Sequence, residues 1–303
     1  MSSAGKIAVV TGATGALGSE MAVLLAGKGY DVVLVARNGE KARQVAARIE
    51  QEGGRAEVKT GDFADLESSK RLAAELAERF PAIDVLVNNA AVFSGERKVT
   101  KDGLELMFAT NHLGPFLVTN SFIGSLQAAA PARIVSISAP TTTKLDFDDL
   151  QSEKDYGPYR AFGASKMCNL LTTFRLSRRL DSNQVTANVV HPGLIKSELM
   201  SDTPAILGGL LKAISRRPEA AAVTPVWVAS DPHLAGVSGA FFQRKEDRKA
   251  RPVQPGRVGS RPPLASERRT RPLRLSYLTL GFQDRVSAAT PSSRASLCGL
   301  AMM

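Results

Sequence analysis

The chain has 303 residues and a mass of 32.2 kDa, with 44% hydrophobic and 22% charged residues, enough for one large α/β domain or two small ones with a sizeable core. Its longest apolar runs, Ile83 to Val87 and Ala220 to Val228, are too short or too interrupted to cross a bilayer, and no basic-then-apolar leader opens the chain, so neither a membrane span nor a secretory signal is expected. Cys168 and Cys298 are the only cysteines, which excludes a disulfide framework and a cysteine zinc cluster and makes a reducing, cytoplasmic setting the expectation. The formal charge of +10 is uneven: residues 246–303 hold 11 Lys/Arg against 4 Asp/Glu, leaving 28 against 25 for the rest. The body is nearly neutral, and no specific nucleic-acid partner is expected. Residues 246–303 also carry 6 of the 16 prolines and no sustained apolar period, so they read as a disordered basic tail after a domain spanning 1–245.

In chain order, a β-rich run at 6–11 leads through a glycine turn into a helix with Leu17, Met21, Leu24 and Leu25 on one face. A strand is predicted at 31–36, a helix at 40–51, a strand at 55–60, a helix at 65–80 and a strand at 83–87. A helix at 111–129, a strand at 133–138, a helix at 160–180 and a strand at 184–190 complete the alternation. Strands separated by helices of this length require crossovers, and hence a doubly wound, Rossmann-type parallel sheet with helices on both faces. Such sheets take ligands at the carboxyl ends of their strands, where strand order reverses.

The first strand is followed by Thr11-Gly12-Ala13-Thr14-Gly15-Ala16-Leu17-Gly18. Gly12 permits a tight turn, Gly15 or Ala16 leaves room for a ligand to approach, and Gly18 lets the helix sit against the sheet, with its first N–H groups facing an anion. That is a dinucleotide cradle. The second strand ends Leu34-Val35-Ala36-Arg37-Asn38. With a basic residue where a carboxylate would select a free ribose hydroxyl, NADP(H) is the expected cofactor.

With Asn88-Asn89-Ala90-Ala91, Asn111-His112-Leu113-Gly114 and His191-Pro192-Gly193, the turn makes the chain similar to the short-chain dehydrogenase/reductase superfamily. The wording of Asn111 to Thr119 and the segment Phe147-Asp148-Asp149-Leu150 resemble its retinol dehydrogenase-like branch, and the match runs over residues 5–243. The resemblance implies that Asp62 lies near the adenine, Asn88, Asn89 and Ala90 beside the adenosine ribose, and Pro192 and Gly193 beside the nicotinamide. It implies hydride exchange between that cofactor and an alcohol or carbonyl on a small or medium apolar substrate. A Tyr acid, a Ser, a Lys four residues after the Tyr and an Asn assist it in the family. The long helices at 111–129 and 160–180 would form its usual homodimer contact, and 197–218 would close over the pocket.

Asn111 and Lys166 fit that pattern, whereas Phe162 stands four residues before Lys166 and Ala139 falls in the serine register. The expected activity is therefore an impaired or rewired oxidoreductase, with a cofactor-binding, non-redox protein (a pseudoenzyme, isomerase or cyclase) as the alternative. Tyr159, Ser138 and Thr141 to Thr143 are the hydroxyls near enough in sequence to substitute. No metal site is expected, because none of His112, His191 and His233 has a partner at ligand spacing.

Overall fold

A computed structural model describes residues 5–139, 141–195 and 215–243. All of them belong to the first of two units into which the chain divides, Met1–Ala250; the second is Arg251–Met303. The expected tail, Cys298 and all but the end of the expected closing segment lie outside the described residues.

The elements run β1 (Lys6–Thr11), α1 (Ala16–Ala26), β2 (Tyr30–Ala36), α2 (Gly39–Gln51), β3 (Arg55–Thr60), α3 (Leu66–Arg79), β4 (Val85–Asn88), the single turn α4 (Leu106–Phe108), a π turn (Ala109–Leu113), α5 (Gly114–Ser121), α6 (Ile123–Ala128), β5 (Ala132–Ile137), α7 (Pro158–Arg179), β6 (Val185–Val190), α8 (Pro218–Ser230) and β7 (Phe241–Phe242). The sheet order is β3-β2-β1-β4-β5-β6-β7, every pair parallel. Order reverses between β1 and β4, at the neighbours Val10 and Val87, so a ligand site is due at the carboxyl ends of those strands.

Alternate strand residues serve opposite faces. Val10, Leu34, Val87, Val135 and Val190 pack with α1, α2 and α8 around Met21, Leu25, Ile49 and Val226, while Val9, Val33, Leu86, Ile134 and Ala187 pack with α3, α5 and α7 around Leu72, Leu76, Val118 and Leu176. Helix starts are chemically marked: Asn38 accepts from Lys41 N, and Asp65 from Ser68 N, at 3.0 and 3.1 Å. Pro158 and Pro218 open α7 and α8, where their missing N–H is no loss.

Three features differ from the sequence expectation. The helix predicted at 111–129 begins at Leu106, widens into the π turn and breaks at Phe122. Helix α8 carries apolar residues all round and so shows no amphipathic period. Strand β7 has only two residues, which its register with Val189 and Val190 alone selects.

Candidate cofactor and active site

The turn after β1 is closed by a left-handed glycine and two hydrogen bonds. Gly12 has φ +64°, Gly15 N donates to Gly12 O at 3.1 Å, and Ala13 N donates to Val35 O at 3.1 Å. A Cβ on Gly12 would lie 2.8 Å from Ala90 Cα, and one on Gly18 would lie 2.2 Å from Gly12 O. Thr11 ties the turn to β4: its Oγ1 donates to Val87 O at 3.1 Å and accepts from Asn89 N at 2.9 Å and Ala90 N at 3.1 Å. The Asn89 amide donates to Thr11 O and Gly12 O at 2.9 and 3.1 Å. Thr11, Gly12, Gly15, Ala16, Leu17 and Gly18 thus form a rigid loop at the switch point, ending in the free N–H groups of α1.

Arg37 directly follows β2, is exposed and makes no ion pair among the described residues. Asp62 lies two residues past β3, beside β2 through the Gly61 N to Ala36 O bond at 3.1 Å; its Oδ1 accepts from Ala64 N at 2.9 Å. Pro192 and Gly193 follow β6, with Gly193 at φ +91°. These positions are all at the carboxyl edge of the sheet.

On that edge α7 carries Lys166, which is 5% exposed. Its Nζ lies 3.5 Å from Ile137 O and 5.4 Å from the centroid of the Phe162 ring. Burial pulls its pKa down from 10.5 to about 8. Phe162, one turn earlier, meets Phe93 edge-on at 5.8 Å, and Phe93 meets Tyr159 at 5.4 Å. The wall beside the Lys166 ammonium is therefore aromatic, with no carboxylate causing its shift.

Asn111 sits inside the π turn, fully buried. Its Oδ1 accepts from Val92 N at 2.7 Å, and its Nδ2 donates to Val92 O at 3.0 Å and Ser165 Oγ at 3.1 Å. This side chain is a bracket joining the loop after β4 to α7. The sequence alone does not show that role, because all three partners are remote.

The other candidate hydroxyls are engaged elsewhere or stand too far from Lys166. Ser138 Oγ donates to the main-chain carbonyl of Lys166 at 3.1 Å. Helix α7 begins at Pro158, so Tyr159 lies two full turns before Lys166, about 10 Å along the axis, and is 48% exposed. The threonine loop does fold back: Thr141 Oγ1 lies 2.9 Å from Thr143 Oγ1 and 3.2 Å from Gly163 O. Tyr156, which no local sequence pattern marks, donates its hydroxyl to Ser94 O at 2.8 Å.

The buried Lys166 charge has a measurable cost. A lysine whose folded pKa is lowered binds fewer protons than its unfolded counterpart between about pH 8 and 10.5, so stability rises across that window and the penalty is complete below it. The shift corresponds to about 3 kcal/mol, from which attraction to the Phe162 ring subtracts ~0.5–2 kcal/mol. Lys166→Met is expected to be the more stable protein at pH 7 by about 1–3 kcal/mol. In urea unfolding that advantage shrinks as pH passes from 8 towards 10.5; a variant less stable than the parent at pH 7 contradicts it.

Among the described residues no group of three or more His, Cys, Asp or Glu is placed to hold a metal, and no helix is long and apolar enough to cross a membrane. A seven-stranded parallel sheet with a glycine cradle at its switch point defines a nucleotide-binding α/β protein of the Rossmann type.

Comparison with known proteins narrows the class. Residues 6–205 match the family model for short chain dehydrogenase. The sequence is 35% identical over 258 residues to retinol dehydrogenase 14 of Mus musculus, covering 78% of this chain and 77% of that one, and 36% identical over 251 residues to retinol dehydrogenase 13 of Homo sapiens, covering 78% and 76%. Among solved structures, Pseudomonas aeruginosa RhlG in an NADP active-site complex superposes with TM-score 0.65 at 25% identity, covering 79% and 94%. The chain belongs to the short-chain dehydrogenase/reductase family of oxidoreductases, with retinol dehydrogenase-like relatives.

Proposed function

We propose that the chain is an NADP(H)-binding short-chain oxidoreductase. It interconverts an alcohol and a carbonyl on a small or medium apolar substrate, slowly, because Phe162 and Ala139 leave the reacting oxygen without a hydroxyl acid. The observation that carries this reading is the closed loop from Thr11 to Gly18 against Asn89 and Ala90, where Gly12 and Gly18 have no room for a side chain. The residues fit a dinucleotide: the α1 N–H groups would face its pyrophosphate, Asp62 its adenine, Asn88 to Ala90 its adenosine ribose, and Lys166, Pro192 and Gly193 its nicotinamide half. When bound, the nicotinamide supplies or takes the hydride.

The chain's own groups do the rest. Lys166 presents a charge poised by burial next to an apolar wall. Asn111 fixes the loop after β4 against Ser165 of α7. The aromatic rings of Phe93, Tyr159 and Phe162 give an apolar substrate a surface, and Phe162, at the position beside Lys166, offers no proton. NADP in the RhlG complex is further support for the choice of cofactor. The cytoplasm and a homodimer complete the reading we favour.

A fluorescence titration with NADPH and NADH tests it. NADPH is expected to bind saturably and more tightly than NADH. Arg37→Ala is expected to weaken NADPH about 10–100-fold and leave NADH unchanged, since a hydrogen bond to a charged group contributes ~1.5–3 kcal/mol. Equal losses for the two cofactors would remove Arg37 as the selector, and no binding of either would remove the oxidoreductase reading. Binding with no hydride transfer to any carbonyl would leave the non-redox alternative.

A further inference from the structure

The run from α4 to α5 is interrupted where the sequence prevents a regular helix. Pro115 has no N–H to give the carbonyl of Asn111 four residues earlier, and its ring crowds that carbonyl. The backbone widens into the π turn, where Gly114 N reaches back to Ala109 O. The Asn111 carbonyl accepts instead from the side-chain amide of Asn169 at 2.6 Å. Asn169 stands on α7, three residues beyond Lys166.

The proton positions here follow from the partners. A carbonyl can only accept, so the Asn169 atom facing Asn111 is Nδ2, which turns Oδ1 towards Nδ1 of His112 at 3.0 Å. Nδ1 of His112 must then carry the hydrogen. The imidazole is 1% exposed, and burial holds its pKa down at about 4, so the ring is neutral and Nε2 is a bare acceptor. Rotating the Asn169 amide by half a turn would set oxygen against oxygen and N–H against N–H. Only one orientation is allowed.

Nε2 of His112 and Oδ1 of Asn88 are both buried and have no partner among the described protein groups. Asn88 Nδ2 donates to Thr119 Oγ1 at 2.8 Å, which leaves its Oδ1 as the unsatisfied end. Both residues line one cavity of about 20 Å³, bordered also by Thr119, Ser136 and Asn169. A water molecule needs roughly 10–15 Å³ of such space and several polar partners. Two unsatisfied acceptors on residues that line one small cavity match one molecule with two O–H donors.

We propose that Asn169 is a positioning residue: held in a single orientation by the Nδ1–H of His112, it clamps the main-chain carbonyl of Asn111, and one water bound between His112 Nε2 and Asn88 Oδ1 completes the clamp. Because the Asn111 side chain brackets Val92 and Ser165, the clamp sets the spacing between the loop after β4 and the turn of α7 that carries Lys166. It acts on cofactor binding through Asn111, without touching the cofactor. Only its binding readout rests on the function proposed above.

The test uses the full chain with 15N-labelled histidine, the His112 signal being assigned by its loss in His112→Phe. The native protein is expected to show neutral His112 with hydrogen on Nδ1, and a crystal structure to show a water within hydrogen-bond distance of Nε2 and Oδ1. In Asn169→Leu the hydrogen is expected to move to Nε2, towards Asn88, and NADPH to bind about tenfold more weakly at temperatures well below melting. A purely structural role would lower the melting temperature and leave both the tautomer and the Kd of the folded protein unchanged. Asn169→Ser, too short to span both partners, is read the same way if Asn169→Leu does not fold. Native His112 with hydrogen on Nε2, or variants that keep tautomer and Kd, overturn the proposal. A native protein that binds no NADPH refutes the cofactor reading instead, and the tautomer and the water then decide this one.

Discussion

Phe162→Tyr combined with Ala139→Ser is expected to raise NADPH-dependent reduction of an apolar aldehyde such as hexanal by about 10²–10⁴-fold over the native chain. A positioned acid contributes about that factor, roughly 3–5 kcal/mol of barrier. The site is otherwise prepared to use it. Position 162 lies one helical turn before Lys166, and the ring already sits 5.4 Å from Nζ, so a phenol there would place its hydroxyl beside a cation that lowers its pKa. The two substitutions belong together because residues acting as a unit are not additive. Single-turnover NADPH consumption by the native protein, each single variant and the double variant is the measurement. A native rate equal to that of the double variant would show that another group supplies the proton. Thr141 or Thr143, packed against Gly163, would then be the first to replace.

The second large effect is at the cradle. Gly18→Ala places a methyl 2.2 Å from Gly12 O and 2.8 Å from Asn89 Nδ2. The first of these is backbone and the second is tied to Thr11 O and Gly12 O, so neither yields cheaply. Overpacking of this kind costs ~1–3 kcal/mol, which for a domain of this size lowers the melting temperature by about 2–4 °C per kcal/mol. Relief requires the turn to move away from the start of α1. NADPH binding is expected to weaken by about 100-fold or more, as two anion hydrogen bonds of ~1.5–3 kcal/mol each lose their geometry. Gly15→Ala is the control for stability, since its methyl would meet nothing closer than 3.4 Å. Its melting temperature should match the parent's, and because alanine raises helix propensity relative to glycine, an equal fall in both variants would show that the close approach at Gly18 is not what destabilises the protein.

The parts of the site that lie within one turn or one loop are legible in the sequence. Thr11 to Gly18 is such a part, and so is the pair of positions 162 and 166, where helical spacing alone fixes which residue stands over which. Arg37 is readable because it directly follows a strand. Other features carry no local signal. Pro115 by itself reads as the first residue of a helix, and only the carbonyl it crowds shows that it shapes a π turn around Asn111. Asn169 gives a faint signal, a polar residue three positions past Lys166 in the helix predicted at 160–180. Its partners, His112 and Asn111, are 57 and 58 residues away.

The sequence by itself determined the alternation of strand and helix, the doubly wound class and the loop chemistry after the first strand, because propensity, side-chain period and turn geometry act between neighbours. It also determined that no hydroxyl stands at positions 162 and 139. The tertiary structure decided what remained. It set the reversal of strand order that brings Ala90 against Gly12, chose the partner of the two-residue β7, engaged Ser138 and Asn111 with remote backbone, and buried Lys166 without a counter-charge. Each depends on groups far apart in the chain meeting at hydrogen-bond or van der Waals distance. That is a property of packing, and no window of sequence contains it.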